Sequence, residues 1–230
     1  MENIKAIIFD ADDTLIDHKA CEKEALINVF KGLKQEYKEE YQNIFRPLDR
    51  NLWDSVAKGT NVVSKEEIPE YRFKKFFDEI DLKITDYQKA NILFQEGLAN
   101  STAVIQNAKE ILEYLSYKQY SLYIVTNGLV KLQKPRIINS EIAEYISDII
   151  ISEAVGIAKP NPEIFNILLN KINIKPEEAV MIGDSLEKDI KGAIDAGIYA
   201  IWYNPDNKSN CTNIQPDYQI ENLLELKEIL

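Results

Sequence analysis

The chain has 230 residues, 45% hydrophobic and 28% charged, which is enough for one large core and part of a second. Eight Gly and eight Pro exclude collagen-like and low-complexity classes. With 27 basic against 38 acidic residues, the formal charge of -11 disfavours wrapping long nucleic acid or lying on an anionic membrane. It leaves room for a small phosphorylated molecule, because one metal ion and one Lys can reverse the potential locally.

Apolar runs alternate with amphipathic helical segments along most of the chain. Lys5–Phe9, Ser121–Val125, Asp148–Ile151, Ala179–Ile182 and Ala200–Tyr203 are short and continuously hydrophobic, the pattern of strands buried on both faces. Pro162–Lys171 and Leu186–Asp195 have the length and stops of crossover helices. The expected fold is therefore α/β, a doubly wound parallel sheet with its site at the carboxyl ends of the strands. Between the first and second strands the alternation breaks. Residues 17–99 read as several helices punctuated at Gly59-Thr60 and Ile68-Pro69, an all-helical insertion placed to act as a lid. The expected division is 1–16 with 100–230 as catalytic core, and 17–99 as helical cap.

Two cysteines, Cys21 and Cys211, are too few for a disulfide framework or a Cys-rich zinc site. The single histidine, His18, rules out His-rich metal sites and HExxH proteases. Catalysis would have to come from carboxylates, Lys, hydroxyls or a cofactor. Met1-Glu2-Asn3 carries no basic start to a secretory leader, and no apolar run approaches the ~20 residues that span a bilayer. The expectation is a cytoplasmic protein with no membrane and no nucleic-acid polymer as partner.

The first strand runs into Asp10-Ala11-Asp12-Asp13-Thr14. Acids are disfavoured inside buried strands, so this group marks a strand end at a functional rim. Alternate side chains project to one side, so Asp10 and Asp12 are expected to address one small volume. Two close carboxylates repel and call for a cation, which Mg²⁺ with oxygen ligands supplies. The plain alternative is an acidic turn capping a helix. Later strands end in Thr126-Asn127-Gly128 and Gly183-Asp184-Ser185 with Asp189 in the next turn, and Lys159-Pro160 opens a predicted helix between them. A hydroxyl, a cation and further carboxylates thus reach the edge where α/β sheets bind ligands.

Those residues resemble the four motifs of the haloacid dehalogenase-like (HAD) superfamily. Asp10-Ala11-Asp12-Asp13-Thr14 is similar to the first motif, Thr126 to the second, Lys159 to the third, and Gly183-Asp184 with Asp189 to the fourth. The insertion resembles the helical cap of members that bind small substrates, on a HAD-like Rossmannoid core. Asp13 stands where the common pattern has Gly. An acid there resembles the YjjG-type pyrimidine 5'-nucleotidases, as do Asn51-Leu52-Trp53, Ile151–Gly156 and Trp202-Tyr203-Asn204. Pro135 fits the helix expected after Thr126 less well.

The resemblance implies a Mg²⁺-dependent phosphomonoester hydrolase that forms an aspartyl-phosphate. Asp10 would be the nucleophile and Asp12 the general acid and base. Asp10, Asp184 and the Asp12 carbonyl would hold the metal. Thr126, with Asn127 as a weaker candidate, and Lys159 would bind the phosphoryl group. Asp189 would orient Lys159 or a metal-bound water, with Thr14 behind the first motif. The expected substrate is a small phosphorylated molecule, foremost a pyrimidine nucleoside 5'-monophosphate. Trp53 is a candidate to stack on the base, or else a cap core residue; His18 touches substrate or sits at the surface. Phe73, Phe76 and Phe77 fall at helical spacing and read as cap core. A sugar phosphate or phosphoglycolate phosphatase is the runner-up. A 2-haloacid dehalogenase is disfavoured by Asp12 and Asp184, and a non-catalytic binding module by the presence of every motif residue.

Overall fold

The computed structural model describes residues 3–57, 59–60 and 62–230; Met1-Glu2 of the leader reading lies outside them. The chain divides into two compact units, one running through His18 and resuming at Thr102, the other spanning Lys19–Ser101.

The first unit is built on six parallel strands, β1 (Ala6–Phe9), β2 (Ser121–Thr126), β3 (Ile146–Ile151), β4 (Ala179–Gly183), β5 (Tyr199–Tyr203) and β6 (Tyr218–Ile220), in the order β3-β2-β1-β4-β5-β6. β6 was not foreseen. It is three residues long at the sheet edge with only Ile220 buried, so it carries no apolar run. Every residue of β1 and β4 is buried, as the continuous runs require. Alternate residues go to opposite faces. Ile8, Val125 and Met181 pack with Phe165 and Leu168, which lie on α7 (Glu163–Ile172). Each such side chain withdrawn from water contributes about 1.5–3 kcal/mol. α5 (Ala108–Tyr117) packs against β2.

Register decides where the chemistry lies. Phe9 is level with Ile124 on one side and Ile182 on the other, and the Asp10 N–H extends the ladder to the Ile182 carbonyl at 2.9 Å. β1 is central, so Asp10 leaves the sheet at the same edge as Asn127 and Asp184. The turn that follows needs a left-handed residue, and Asp13 takes it at φ 58° while its N–H donates to the Ile16 carbonyl. Glycine enters that region at no cost and Asp tolerates it, which explains why this position accepts the replacement.

α6 (Val130–Ile138), the helix expected after Thr126, continues through Pro135, the residue that fits it less well. The ring removes one backbone donor. Buried Gln133, Arg136 and Ile137 anchor the helix on both sides of it. The helix expected at Leu186–Asp195 begins as a π-helical turn, Leu186–Ile190, and only then becomes α8 (Lys191–Asp195).

The second unit is helical: α1 (His18–Gly32, from Lys19 on), α2 (Glu40–Ala57), α3 (Ile68–Glu79) and α4 (Tyr87–Asn100). Its centre is aromatic. Phe73, Phe76 and Phe77 are buried as their spacing predicts, joined by Phe30, Phe45 and Phe94 with ring centroids 5.1–6.5 Å apart. Arg72 is buried among them, its guanidinium 4.5 Å from the Phe94 centroid and paired with Asp49 at 3.1 Å and Asn91 at 2.9 Å. α1 and α4 meet closely at Gly97, where a Cβ would come within 2.6 Å of the Ala25 Cα. No helix among the described residues is long and apolar enough to cross a membrane.

Candidate active site

Lys159 lies at the middle of the carboxyl edge. Its Nζ is 2.5 Å from Asp10 Oδ1 and 2.7 Å from Asp189 Oδ1, and donates to the Val125 carbonyl at 2.7 Å. Three acceptors use the three protons of an ammonium. Burial alone would lower its pKa, but the Asp10 and Asp189 carboxylates hold it above the usual lysine value. Lys159 is thus a permanent cation.

Its main chain is fixed as well. Asn127 Oδ1 accepts from the Lys159 N–H at 2.8 Å, and Asn127 Nδ2 donates to the Lys159 carbonyl at 3.0 Å. The Asn127 amide, named from sequence as a phosphate ligand, is therefore committed to the lysine loop. Thr126 is buried at the end of β2, and the Gly128 N–H donates to Ser152 Oγ at 3.0 Å.

Asp189 reaches Lys159 because the π-helical turn carries it back over β4. Its Oδ2 accepts from the Ser185 N–H at 3.0 Å, and a Cβ at Gly183 would stand 2.5 Å from that same oxygen. Only glycine fits under it. The indole of Trp202 donates to the Asp184 carbonyl at 2.9 Å and steadies the loop from β5.

One oxygen each from Asp10, Asp184 and Asp189 lie within 4.8 Å of one another. Burial first, and then Asp189 and Asp13, push Asp184 up to about 7. Burial also pushes Asp10 well above the carboxylate range, against the pull of Lys159 and with the help of Asp189 and Asp184. Three acids share one ammonium, so a second positive charge is what the cluster lacks. The donors are all oxygen, a set suited to a hard divalent cation such as Mg²⁺. Asp189 has both oxygens engaged by Lys159 and Ser185, which leaves Asp10 and Asp184 as the better-placed carboxylates.

Asp12 departs from the expectation. Its carboxylate takes its own partners: Arg136 Nη2 at 2.8 Å and His18 Nδ1 at 3.2 Å on Oδ1, and Gln133 Nε2 at 2.6 Å on Oδ2. Burial alone would raise its pKa, yet Arg136 and His18 hold it far below the carboxylate range. His18, in turn, is raised above the ordinary histidine value, Asp12 outweighing the effect of burial. The histidine thus pairs with the first motif. Gln133 and Arg136 escaped notice because buried polar residues in a short amphipathic helix read as solvent-facing. Thr14 is fully buried, and its hydroxyl finds no hydrogen-bond partner among the described residues. Trp53, on α2 of the helical unit, is partly exposed.

Residues 4–197 match the haloacid dehalogenase-like hydrolases. The chain belongs to that family. Over its full length it is 33% identical to the HAD-family protein YfnB of Bacillus subtilis, covering 97% of that protein. The crystal structure of YfnB, bound to magnesium and revealing interdomain movement, superposes with a TM-score of 0.90 at 31% identity, over 100% of this chain and 99% of that one. Pyrimidine 5'-nucleotidase PynA of Streptococcus pneumoniae is 31% identical over 98% of this chain and 94% of its own. Glyceraldehyde 3-phosphate phosphatase of Pyrococcus furiosus is 28% identical over 100% of this chain and 94% of its own. The protein is thus a HAD-family hydrolase whose curated relatives include phosphatases acting on different phosphomonoesters.

Proposed function

We propose that this HAD hydrolase cleaves small phosphomonoesters through a phosphorylated Asp10, and that its substrate is a pyrimidine nucleoside 5'-monophosphate. The observation that carries the reading is Lys159 held between Asp10 and Asp189 beside Asp184, at the sheet edge where α/β folds bind ligands.

In the first step an Asp10 oxygen attacks phosphorus. The Asp10–phosphorus bond forms, the ester bond breaks, and the departing alkoxide takes a proton from Asp12. Arg136 and His18 hold that carboxylate ionised in the free site, so Asp12 first takes up the proton from solvent as substrate binds. In the second, Asp12 takes a proton from water, the water oxygen bonds phosphorus, and Asp10 is released with phosphate. Thr126 and main-chain N–H groups of its loop bind the phosphoryl oxygens. Lys159 supplies a fixed positive charge that reduces repulsion between nucleophile and phosphate, and needs no reorganisation as the reaction proceeds. Asp189 and Asn127 hold Lys159 by its ammonium and its main chain. Asp10, Asp184 and the Asp12 carbonyl would hold Mg²⁺, which when bound supplies charge neutralisation for the carboxylates and the phosphoryl oxygens. The helical unit is the substrate-selecting part of this proposal, with Trp53 as its base-stacking residue.

The nucleotidase reading draws support from PynA and from the acid at Asp13. A screen of dUMP, dTMP, UMP, AMP, phosphoglycolate and sugar phosphates tests it. The pyrimidine nucleotides are expected to give the highest kcat/KM; faster hydrolysis of phosphoglycolate or a sugar phosphate would overturn the assignment. EDTA is expected to remove activity with every substrate, whereas a metal-independent enzyme would contradict the phosphatase chemistry.

Magnesium binding should also depend on pH in a stated direction. Asp184 keeps its proton up to about pH 7 in the metal-free fold. The cation must displace that proton, so its affinity is expected to fall as pH drops below about 7. An acid with a raised folded value binds protons better folded than unfolded. Its contribution to stability is therefore lost as pH climbs from 3.8 through about 7. Calorimetric titration of Mg²⁺ at pH 6 and pH 8 checks this: weaker binding with proton release is expected at pH 6, and equal affinity would contradict it.

A further inference from the structure

Gln133 and Arg136 lie three residues apart on α6, on one helical face, and both are buried. Between them they hold both oxygens of Asp12, Gln133 at 2.6 Å on Oδ2 and Arg136 at 2.8 Å on Oδ1. Arg136 is buried but the Asp12 side chain is 28% exposed, and an ion pair of this kind is weak evidence of a stabilising role, since apolar residues of similar volume often serve the fold as well. A paired grip from one rigid element instead fixes the direction in which a carboxylate presents its remaining lone pairs.

We infer that Gln133 and Arg136 are positioning residues that aim Asp12 at the leaving-group oxygen of the substrate. The inference rests on the reading of Asp12 as the proton carrier. Gln133 donates a hydrogen bond to Oδ2, while Arg136 and His18 lie at ion-pair distance on Oδ1 without hydrogen-bond geometry. Two of these three contacts come from α6, which therefore sets the orientation of the carboxylate. Neither residue touches the phosphoryl group in this scheme. Their loss should be felt only by the bond cleavage that needs a proton.

The discriminating measurement is kcat/KM, which reports the steps up to phosphorylation of Asp10, for two kinds of substrate. An alkyl phosphomonoester such as UMP leaves as an alkoxide and needs the proton. p-Nitrophenyl phosphate leaves as a stabilised phenolate and does not. Gln133→Leu and Arg136→Met are each expected to lower kcat/KM for the alkyl ester about 10–100-fold, part of the 10²–10⁴ that a general acid supplies, and for p-nitrophenyl phosphate no more than about threefold. Arg136→Lys should restore part of the loss. Thermal unfolding and circular dichroism establish that each variant folds, and Gln133→Leu, the milder change, carries the test if Arg136→Met does not. Equal losses on both substrates, or no loss on either, would overturn the positioning role. Asp12→Asn is the reference. If it shows the substrate split and the α6 variants do not, the inference fails and the role of Asp12 stands. If Asp12→Asn shows no split, the Asp12 assignment fails and the inference falls with it.

Discussion

Asp10→Asn is expected to lower phosphomonoester turnover by at least about four orders of magnitude, because a carboxamide oxygen cannot form the phosphoryl ester at a useful rate. The substitution keeps the volume of the side chain and an acceptor for Lys159, so binding and fold should survive. Stability gives an independent check. Asp10 carries a charge that burial and the neighbouring Asp189 and Asp184 oppose, and removing it relieves that repulsion. The metal-free variant should therefore melt no lower than the parent, the pattern expected when a site is built for activity at the expense of stability. A variant that retains turnover within tenfold would remove Asp10 from the nucleophile role. One that is inactive only because it unfolds would leave the electrostatic account unsupported.

Lys159→Ala is expected to cost at least about 10³ in kcat, at or beyond the upper end for a single preorganised charge or donor at a developing anion. Lys159 does more than stabilise the transferring group. It is the counter-ion of two buried acids, and removing one partner of a buried pair destabilises by about 3–5 kcal/mol. Activity and melting temperature should fall together. Saturating Mg²⁺ should recover part of the stability, because the cation replaces positive charge, but not the activity, because the phosphoryl group still lacks its ammonium. Stopped assays on folded protein, with unfolding followed at zero and saturating Mg²⁺, separate the two. Near-parental kcat in a folded Lys159→Ala protein would contradict the assignment.

The sequence showed most of the sheet and the candidate residues, for one physical reason. Strands of a parallel sheet are buried on both faces, so β1 to β5 appear as unbroken apolar runs, and acids placed where such runs stop stand out. Asp10, Lys159, Asp184 and Asp189 were separable from ordinary turn residues in this way, and the structure brings them together. β6 escaped because Tyr218 and Gln219 face solvent and leave one buried residue, Ile220. The setting of Asp12 escaped because it depends on a helix distant in the chain, whose Gln133 lies 121 positions away. No local pattern encodes that Gln133 and Arg136 point inward. Asn127 illustrates a related limit. Its position beside Thr126 suggested contact with phosphate, whereas its amide makes two hydrogen bonds to the main chain of Lys159. The side chain is adjacent to the chemistry and acts on it through another residue.

The central claim, that Asp10 becomes esterified, is accessible to one direct measurement. The enzyme is mixed with excess UMP and Mg²⁺, quenched in acid within the first turnovers, digested, and examined by mass spectrometry for an acid-stable, base-labile phosphoryl adduct. The account predicts that adduct on the peptide spanning Lys5 to Asp17, located at Asp10, and its absence from Asp10→Asn. Phosphate released from an active enzyme that carries no adduct, or an adduct on any other residue, would contradict it.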